Sequence, residues 1–310
     1  DTQSSNAASI GQVHKAKKDG NELAVKIQYP GVSESISSDL KLVKPVALRI
    51  LNISAKDSVK YFKEVEDKLM EETNYILELE QSKEISEACK NIPNLLFPKY
   101  YSEYSSERII TMDWMTGKHL SEYTPTPESG NKIGQALWDF YMYQMNVLKK
   151  VHADPHPGNF LVSNKQELIA LDFGCMKIIP EDFHSPYFDL IKKETLADEK
   201  LFHAKMYELE ILKSSDSKED VEFFSEMFHE LLSWFGKPLN EETFDFSDEN
   251  FFNKIGELGE QYTKNTELRK MDANRGSTHF IYVNRTFFGL YSLMNMLGAK
   301  NIKINNYKNL

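Results

Sequence analysis

Cysteine is nearly missing from this 310-residue chain, which holds only Cys89 and Cys175, in unrelated contexts. Two such residues offer neither a disulfide framework nor the clustered spacing of a zinc site, and they suit a reducing compartment. Long apolar runs are missing too. No stretch reaches the roughly eighteen apolar residues of a membrane span, and the nearest candidate, Phe280 to Leu297, is interrupted by Asn284, Arg285 and Asn295. It reads as a buried amphipathic helix. Repeats and low-complexity tracts are absent. So is a basic stripe: the net charge is −10, and residues 181–260 hold 21 acids against eight lysines and no arginine. That balance repels phosphate backbones and excludes a nucleic-acid surface. The plain reading of the acidic stretch is a solvated helical face. The hydrophobic fraction of 41% and charged fraction of 27% are those of a globular protein.

Two short segments carry the chemistry. Residues 152–159 read His-Ala-Asp-Pro-His-Pro-Gly-Asn, and one hairpin later comes Leu171-Asp172-Phe173-Gly174. A catalytic loop H-x-D-x-x-x-x-N followed by D-F-G is the layout of protein kinases, in which one Asp serves the nucleophile and an Asn and a second Asp hold magnesium. His152, Asp154 and Asn159 match the loop, and Asp172 heads the triplet. D-F-G alone is met by chance; the ordered pair is specific. Asp154 is thus the candidate general base or positioner, and Asn159 and Asp172 are the candidate Mg²⁺ ligands. His152 is expected to pack. His156, held between two prolines, is a poor magnesium ligand because that ion prefers oxygen.

The remaining parts of a phosphotransferase lie upstream. Leu23-Ala24-Val25-Lys26 reads as the strand ending in a phosphate-pairing lysine. Asn6-Ala7-Ala8-Ser9-Ile10-Gly11-Gln12-Val13 can be laid on G-x-G-x-x-G-x-V, with Asn6 and Ala8 where the first two glycines would stand. A Cβ there restrains the backbone and keeps it from its closest approach to a phosphate. Met112-Asp113-Trp114-Met115 sits where a kinase changes lobes and offers its backbone to adenine.

With Asn6 to Ala16, Ala24 to Val32 and Ala153-Asp154-Pro155-His156-Pro157-Gly158-Asn159, the chain resembles the UbiB/AarF family of atypical kinase-like ATPases, from residue 2 to about Asp182. The resemblance implies ATP and Mg²⁺ as cofactors, an Ala-rich loop in place of the Gly-rich one, and a part in isoprenoid quinone biosynthesis or lipid handling through ATP hydrolysis more than peptide phosphorylation. It implies lipid or quinone-biosynthesis proteins as partners, no nucleic acid, and a place in the cytoplasm or on the cytoplasmic side of a membrane. The family pattern E-x-D-Y-x-x-E falls on Glu72, Asn74, Tyr75 and Glu78. Glu78 is then the expected partner of Lys26, and Glu72 is expected to face an N-terminal extension or the metal. Asn74 replaces the usual Asp and loses its charge. The family's K-x-G-Q motif does not occur in these residues, and the chain opens inside the expected phosphate-covering hairpin, so a segment upstream is expected.

Coarse patterning predicts strands at 12–16 and 22–29, a helix over 58–89, a hairpin of 97–103 and 107–114, and a loop at 123–130. A helix to about Val151, short strands at 160–162 and 168–171, and helices after Pro180 complete it. The order is α+β with segregated lobes: a bilobal protein-kinase-like fold, its N-lobe at 1–113 with an antiparallel sheet and long helix, its mainly helical C-lobe at 114–310.

Two further absences bear on substrate. Ala153 replaces the Arg of H-R-D, and Ile179-Pro180-Glu181 follows Gly174 almost at once, which leaves no room for a peptide-docking activation segment. A small-molecule or lipid-linked phosphotransferase or ATPase is the leading expectation. A protein kinase acting on polypeptides and a nucleotide-binding pseudokinase scaffold are the alternatives.

Overall fold

The computed structural model describes residues 3–8, 10–51, 63, 66–67, 69–264 and 277–310. These fall into two compact units, one made of residues 1–91, 95–121 and 158–176, the other of 92–94, 122–157 and 177–310.

The first unit is built on an antiparallel sheet of β1 (Asn6–Ala8), β2 (Gly11–Lys18), β3 (Asn21–Gln28) and β5 (Ile109–Asp113), in the order β1-β2-β3-β5. Along β3 the side chains of Ala24, Lys26 and Gln28, two residues apart, are buried, as a strand's period of two requires of one face. Helix α1 (Val32–Leu51) follows, with Ile36 buried and Leu42, Val43 and Val46 exposed. Coarse patterning placed no element there. Helix α2 (Tyr75–Ala88) packs Tyr75 and Leu79 into a core with Ala24, Tyr100, Ile110 and Met112.

The long helix expected over 58–89 is interrupted at Thr73–Asn74. The Thr73 and Asn74 amides close a preceding turn onto Met70 and Glu71, and Asn74 then caps α2 by accepting the Leu77 amide on Oδ1 at 3.1 Å. Tyr61 and Val65, part of the periodicity behind that expectation, lie outside the described residues. The strand expected at 97–103 is also shorter. It is reduced to a bridge from Tyr100 to Met112, because Ser102–Tyr104 turn into a 3₁₀ helix, while β4 (Leu95–Leu96), just before it, joins another sheet. A second sheet runs β4-β9-β8-β6, from β6 (Lys118–His119), β8 (Phe160–Val162) and β9 (Leu168–Ala170).

Gly11 shows how tightly β2 and β3 are joined. A Cβ at this position would lie 2.3 Å from the Ile27 carbonyl oxygen and 3.0 Å from the Tyr75 hydroxyl. The glycine that aligns with the end of a phosphate loop is therefore required by close strand packing. Gly11→Ala should lower stability by about 2 kcal/mol, the cost of overpacking against backbone, and thermal melting will read it; an unchanged Tm would mean that the strands part freely.

In the second unit α3 (Pro127–Tyr143) starts inside the stretch expected to be a loop. Thr126 and Ser129 cap it reciprocally, Oγ1 of Thr126 accepting the Ser129 amide at 3.2 Å and Ser129 Oγ accepting the Thr126 amide at 2.9 Å, and Pro127 stands at the first helical position. A π-helical turn, Gln144–Leu148, extends it, and β7 (Lys150–His152) leads into the catalytic-loop motif. Beyond β10 (Met176–Ile178) come α4 (Glu181–Leu190), α5 (Lys193–Ala197), α6 (Glu199–Glu208) and α7 (Lys218–Phe235). They are followed by β11 (Thr243–Phe244), α8 (Glu249–Lys264), α9 (Thr278–Met296) and β12 (Ile302–Lys303).

The interrupted apolar stretch at 280–297 forms most of α9, which buries Phe280, Val283, Phe287, Leu290, Tyr291 and Met294. Tyr291 packs among Trp138, Phe235, Phe246 and Phe251, and Trp138 Nε1 donates to the Ile304 carbonyl at 2.9 Å. Among the described residues no helix is long and apolar enough to cross a membrane.

Candidate functional site

Strand β3 delivers Lys26 into the interior of the first unit. Its Nζ donates to Glu78 Oε1 at 2.6 Å and meets Asp172 Oδ2 at 3.2 Å; Lys26 and Glu78 are each only 5% exposed. Burial works against the ammonium, but the carboxylates of Asp172 and then Glu78 outweigh it and hold the lysine well above its ordinary pKa. Glu78 is pushed up to about 7 by burial, with Asp172 adding repulsion, against the pull of Lys26. The Tyr75 ring lies 5.1 Å from Lys26 Nζ, and its buried hydroxyl has no hydrogen-bond partner. A permanently protonated lysine, oriented by one buried carboxylate, suits the holding of phosphate oxygens.

The triplet Asp172-Phe173-Gly174 is fixed from three sides. Phe173 is buried against Phe97, with ring centroids 6.1 Å apart. The Gly174 amide donates to Asp172 Oδ1 at 2.9 Å, and Tyr100 Oη donates to the Leu171 carbonyl at 3.1 Å. The Leu171 amide donates to the Asn159 carbonyl at 3.1 Å, so the end of the catalytic-loop motif is tied to the triplet. Among the described residues no group of three His, Cys, Asp or Glu side chains could hold a metal. One carboxylate and one amide oxygen, those of Asp172 and Asn159, would suit an ion that takes its other ligands from phosphate and water. That is how magnesium is bound, so the residues present fit it.

The other expected residues are placed as follows. Asn6, Ala7 and Ala8 form β1, paired with Val13, Gln12 and Gly11 of β2; Ser9 lies outside the described residues. Val13 lines up with Lys26 across the β2–β3 pair. Met112 is buried in the sheet core. The amides of Asp113 and Trp114 are already committed, to the Lys99 carbonyl at 2.9 Å and the Glu22 carbonyl at 3.0 Å. Glu72 sits in the turn before α2 and adds to the repulsion on Glu78.

Asp154 belongs to the second unit. His152 is buried there: its amide donates to Gln144 Oε1 at 3.0 Å, and its Nδ1 lies 3.4 Å from Tyr141 Oη. The π-helical turn brings Gln144 to that place, so it is one source of the loop's shape. Helix α9 supplies a partner that motif reading passed over. Arg285 donates to Asp154 Oδ1 at 3.0 Å. One turn later a Cβ on Gly289 would lie 2.3 Å from Pro155 Cγ, so the helix rests on the loop at its glycine and reaches the carboxylate with its arginine. The signal in the sequence was a lone arginine in an otherwise apolar amphipathic stretch.

A matched pair of substitutions tests that seat. Gly289→Ala should cost about 1–3 kcal/mol by overpacking. Gly256→Ala, in α8, where a Cβ meets nothing within 4 Å, should instead gain about 0.5–1 kcal/mol of helix propensity. Equal melting temperatures for the two variants would show that α9 is not pressed on Pro155.

Comparison with known proteins points the same way. Residues 1–206 match the family model of the ABC1 atypical kinase-like domain. The chain is 29% identical over 301 residues to the yeast protein named atypical kinase COQ8, mitochondrial, covering 94% of this chain and 58% of that protein. It is 32% identical over 191 residues to the chicken AarF domain-containing protein kinase 1, covering 58% of this chain and 37% of that protein. A chloroplast protein of Arabidopsis thaliana, activity of bc1 complex kinase 3, is 31% identical over 184 residues, which are 57% of this chain and 26% of that protein. The chain thus spans roughly a quarter to under two thirds of the length of these relatives. Among solved structures, that of Mycobacterium tuberculosis Rv3197 in complex with erythromycin superposes with a TM-score of 0.71 at 22% identity, covering all of this chain and 76% of that one, a likeness of fold.

Proposed function

Because the chain belongs to the ABC1 (AarF/UbiB) family of atypical kinase-like proteins, we propose that it is an ATP-dependent phosphotransferase or ATPase working on small or lipid-linked substrates. The observation that carries this reading is the buried Lys26–Glu78–Asp172 constellation, at 2.6 and 3.2 Å. Lys26 would hold phosphate oxygens with Glu78 fixing its position, and Asp172 with Asn159 would hold Mg²⁺. When bound, the metal neutralises charge on the phosphates. Asp154 would position the attacking oxygen, and Arg285 would hold Asp154 in place. With the amides of Asp113 and Trp114 engaged, Met115 is the residue proposed to meet adenine.

The resemblance noted in the sequence supports a substrate in isoprenoid quinone or lipid metabolism. Against a polypeptide substrate stand Ala153 and the few residues between Gly174 and Pro180. Purified protein with MgATP should release ADP, faster with lipid vesicles than with a generic protein substrate such as casein. Stimulation by casein with phosphate incorporated into it would favour a protein kinase. ATP binding without ADP release under any condition would favour a scaffold.

A further inference from the structure

Three elements of the second unit converge beside Asp154. The loop that carries it rests on α9, where a Cβ on Gly289 would lie 2.3 Å from Pro155 Cγ. Strand β10 pairs with β7, the strand that leads into the loop, and has Lys177 at its centre. Lys177 Nζ lies 5.2 Å from the centroid of the Tyr282 ring. Tyr282 precedes Arg285 by three positions on α9 and so shares its face. Two cations with an aromatic ring between them therefore occupy the face of α9 that reaches the carboxylate.

Stability does not call for this arrangement. The side chains of Arg285 and Asp154 are 56% and 45% exposed, and an ion pair so open to water contributes about 0–1 kcal/mol. Arg285 is the only Lys, Arg, Asp or Glu in α9. Its Nη2 donates to Asp154 Oδ1 at 3.0 Å, and among the described residues no other acceptor meets the guanidinium. A guanidinium carries five N–H donors in one plane, enough to hold a carboxylate on one edge and a second anion on another. The surroundings have the opposite sign, since residues 181–260 hold 21 acids against eight lysines. The positive charge is local to the catalytic-loop motif.

We propose that Arg285, with Lys177 beside Tyr282, selects an acceptor substrate that bears an anionic group, a phosphate or a carboxylate, close to the oxygen that Asp154 positions. The proposal rests on the reading of Asp154 as the residue that positions the attacking oxygen. Arg285 then has two tasks. One edge of its guanidinium steadies Asp154, and the other holds the acceptor's anion. Lys177 adds charge from β10, and the half-buried Tyr282 ring gives aromatic surface to the acceptor's body. Both Arg285 and Tyr282 lie beyond residues 1–206, the part matched by the family model, so this selectivity would come from the C-terminal helices.

The test is calorimetric titration of the whole chain with three probes: 1-naphthyl phosphate (anionic), 1-naphthol (neutral) and 1-naphthylmethylamine (cationic). The nucleotide site is first filled with Mg²⁺ and a non-hydrolysable ATP analogue. Naphthyl phosphate should bind at one site about tenfold more tightly than naphthol, and the amine no better than naphthol. Arg285→Gln should weaken the phosphate about tenfold, the loss of a charge-assisted hydrogen bond, and Arg285→Lys should restore part of it. Lys177→Gln should weaken it by a smaller factor. Arg285→Gln/Lys177→Gln should bring it to the level of naphthol with unchanged circular dichroism. Equal affinity for phosphate and naphthol, or phosphate binding indifferent to Arg285→Gln, would overturn the proposal and leave Arg285 a positioning residue for Asp154 alone. Phosphate binding that vanishes once the analogue is added would also overturn it, the anion then being the nucleotide's own. Thermal stabilisation by the analogue, measured on the same samples, reports the nucleotide reading separately.

Discussion

Asp172→Asn will leave the protein folded and remove the stabilisation that ATP confers in the presence of Mg²⁺. The side chain is one-third exposed, with Oδ1 accepting the Gly174 amide at 2.9 Å and Oδ2 facing Lys26 at 3.2 Å. Asparagine retains an oxygen for the Gly174 amide, and Lys26 retains Glu78 at 2.6 Å, so the local structure has what it needs. What disappears is the carboxylate proposed to hold the metal against the phosphates. Ligand at a hundred times its Kd stabilises a folded protein by about 2.7 kcal/mol, which for a chain of this length is a rise of roughly 3–4 °C in Tm. The wild type should show that rise with ATP and Mg²⁺ together and lose most of it with EDTA. The variant should show little of it under either condition. A variant stabilised as strongly as the wild type would mean that Asp172 is not the metal ligand.

The parts of the site that the sequence displayed are those whose chemistry is local. Lys26 at a strand end, Asp154 and Asn159 in one loop, and Asp172 before Phe-Gly are contiguous patterns, and Glu78 followed from a family pattern only six residues away from Glu72. What stayed hidden depends on contacts distant in sequence. Arg285 meets Asp154 across 131 positions, and nothing in the composition of α9 marks its partner. Gly11 looked like part of a phosphate loop because its neighbours do, whereas its constraint comes from the carbonyl of Ile27 on the next strand.

Elements were lost for a different reason. The repeat of apolar residues ran through Thr73-Asn74 without showing that Asn74 ends one turn and caps the next helix. The prolines at 125 and 127 looked like loop formers although Pro127 begins a helix, where a missing amide costs nothing. The acidic stretch was legible as helical and charged; the packing of α5, α6 and α7 through Leu196, Phe202 and His229 was not, since it joins residues distant in sequence.

Lys26 and Glu78 should act as one unit in stability as well as in nucleotide use. Removing one member of a buried, hydrogen-bonded ion pair leaves a stranded charge and costs about 3–5 kcal/mol, whereas replacing both by neutral groups costs much less. Lys26→Met and Glu78→Gln should each destabilise the protein, and the double variant should be more stable than the sum of the single losses predicts, with a coupling of about 1–3 kcal/mol.

The pH dependence separates the pair from its rivals. In the folded wild type burial already raises Glu78 from 4.5 to about 7, and without Lys26 the upward shift must grow, because the only attraction opposing it is gone. A folded pKa above the unfolded value means that the folded state holds the proton more tightly. Its contribution is complete below about pH 4.5 and is lost as pH rises through the folded pKa, beyond 7. Lys26→Met should therefore lose stability steeply between these limits, and Lys26→Met/Glu78→Gln should lose much less. Urea unfolding at several pH values measures both. Additive losses and a single-variant slope no steeper than that of the double variant would place Glu78 outside the pair, with Glu72 the next carboxylate to test.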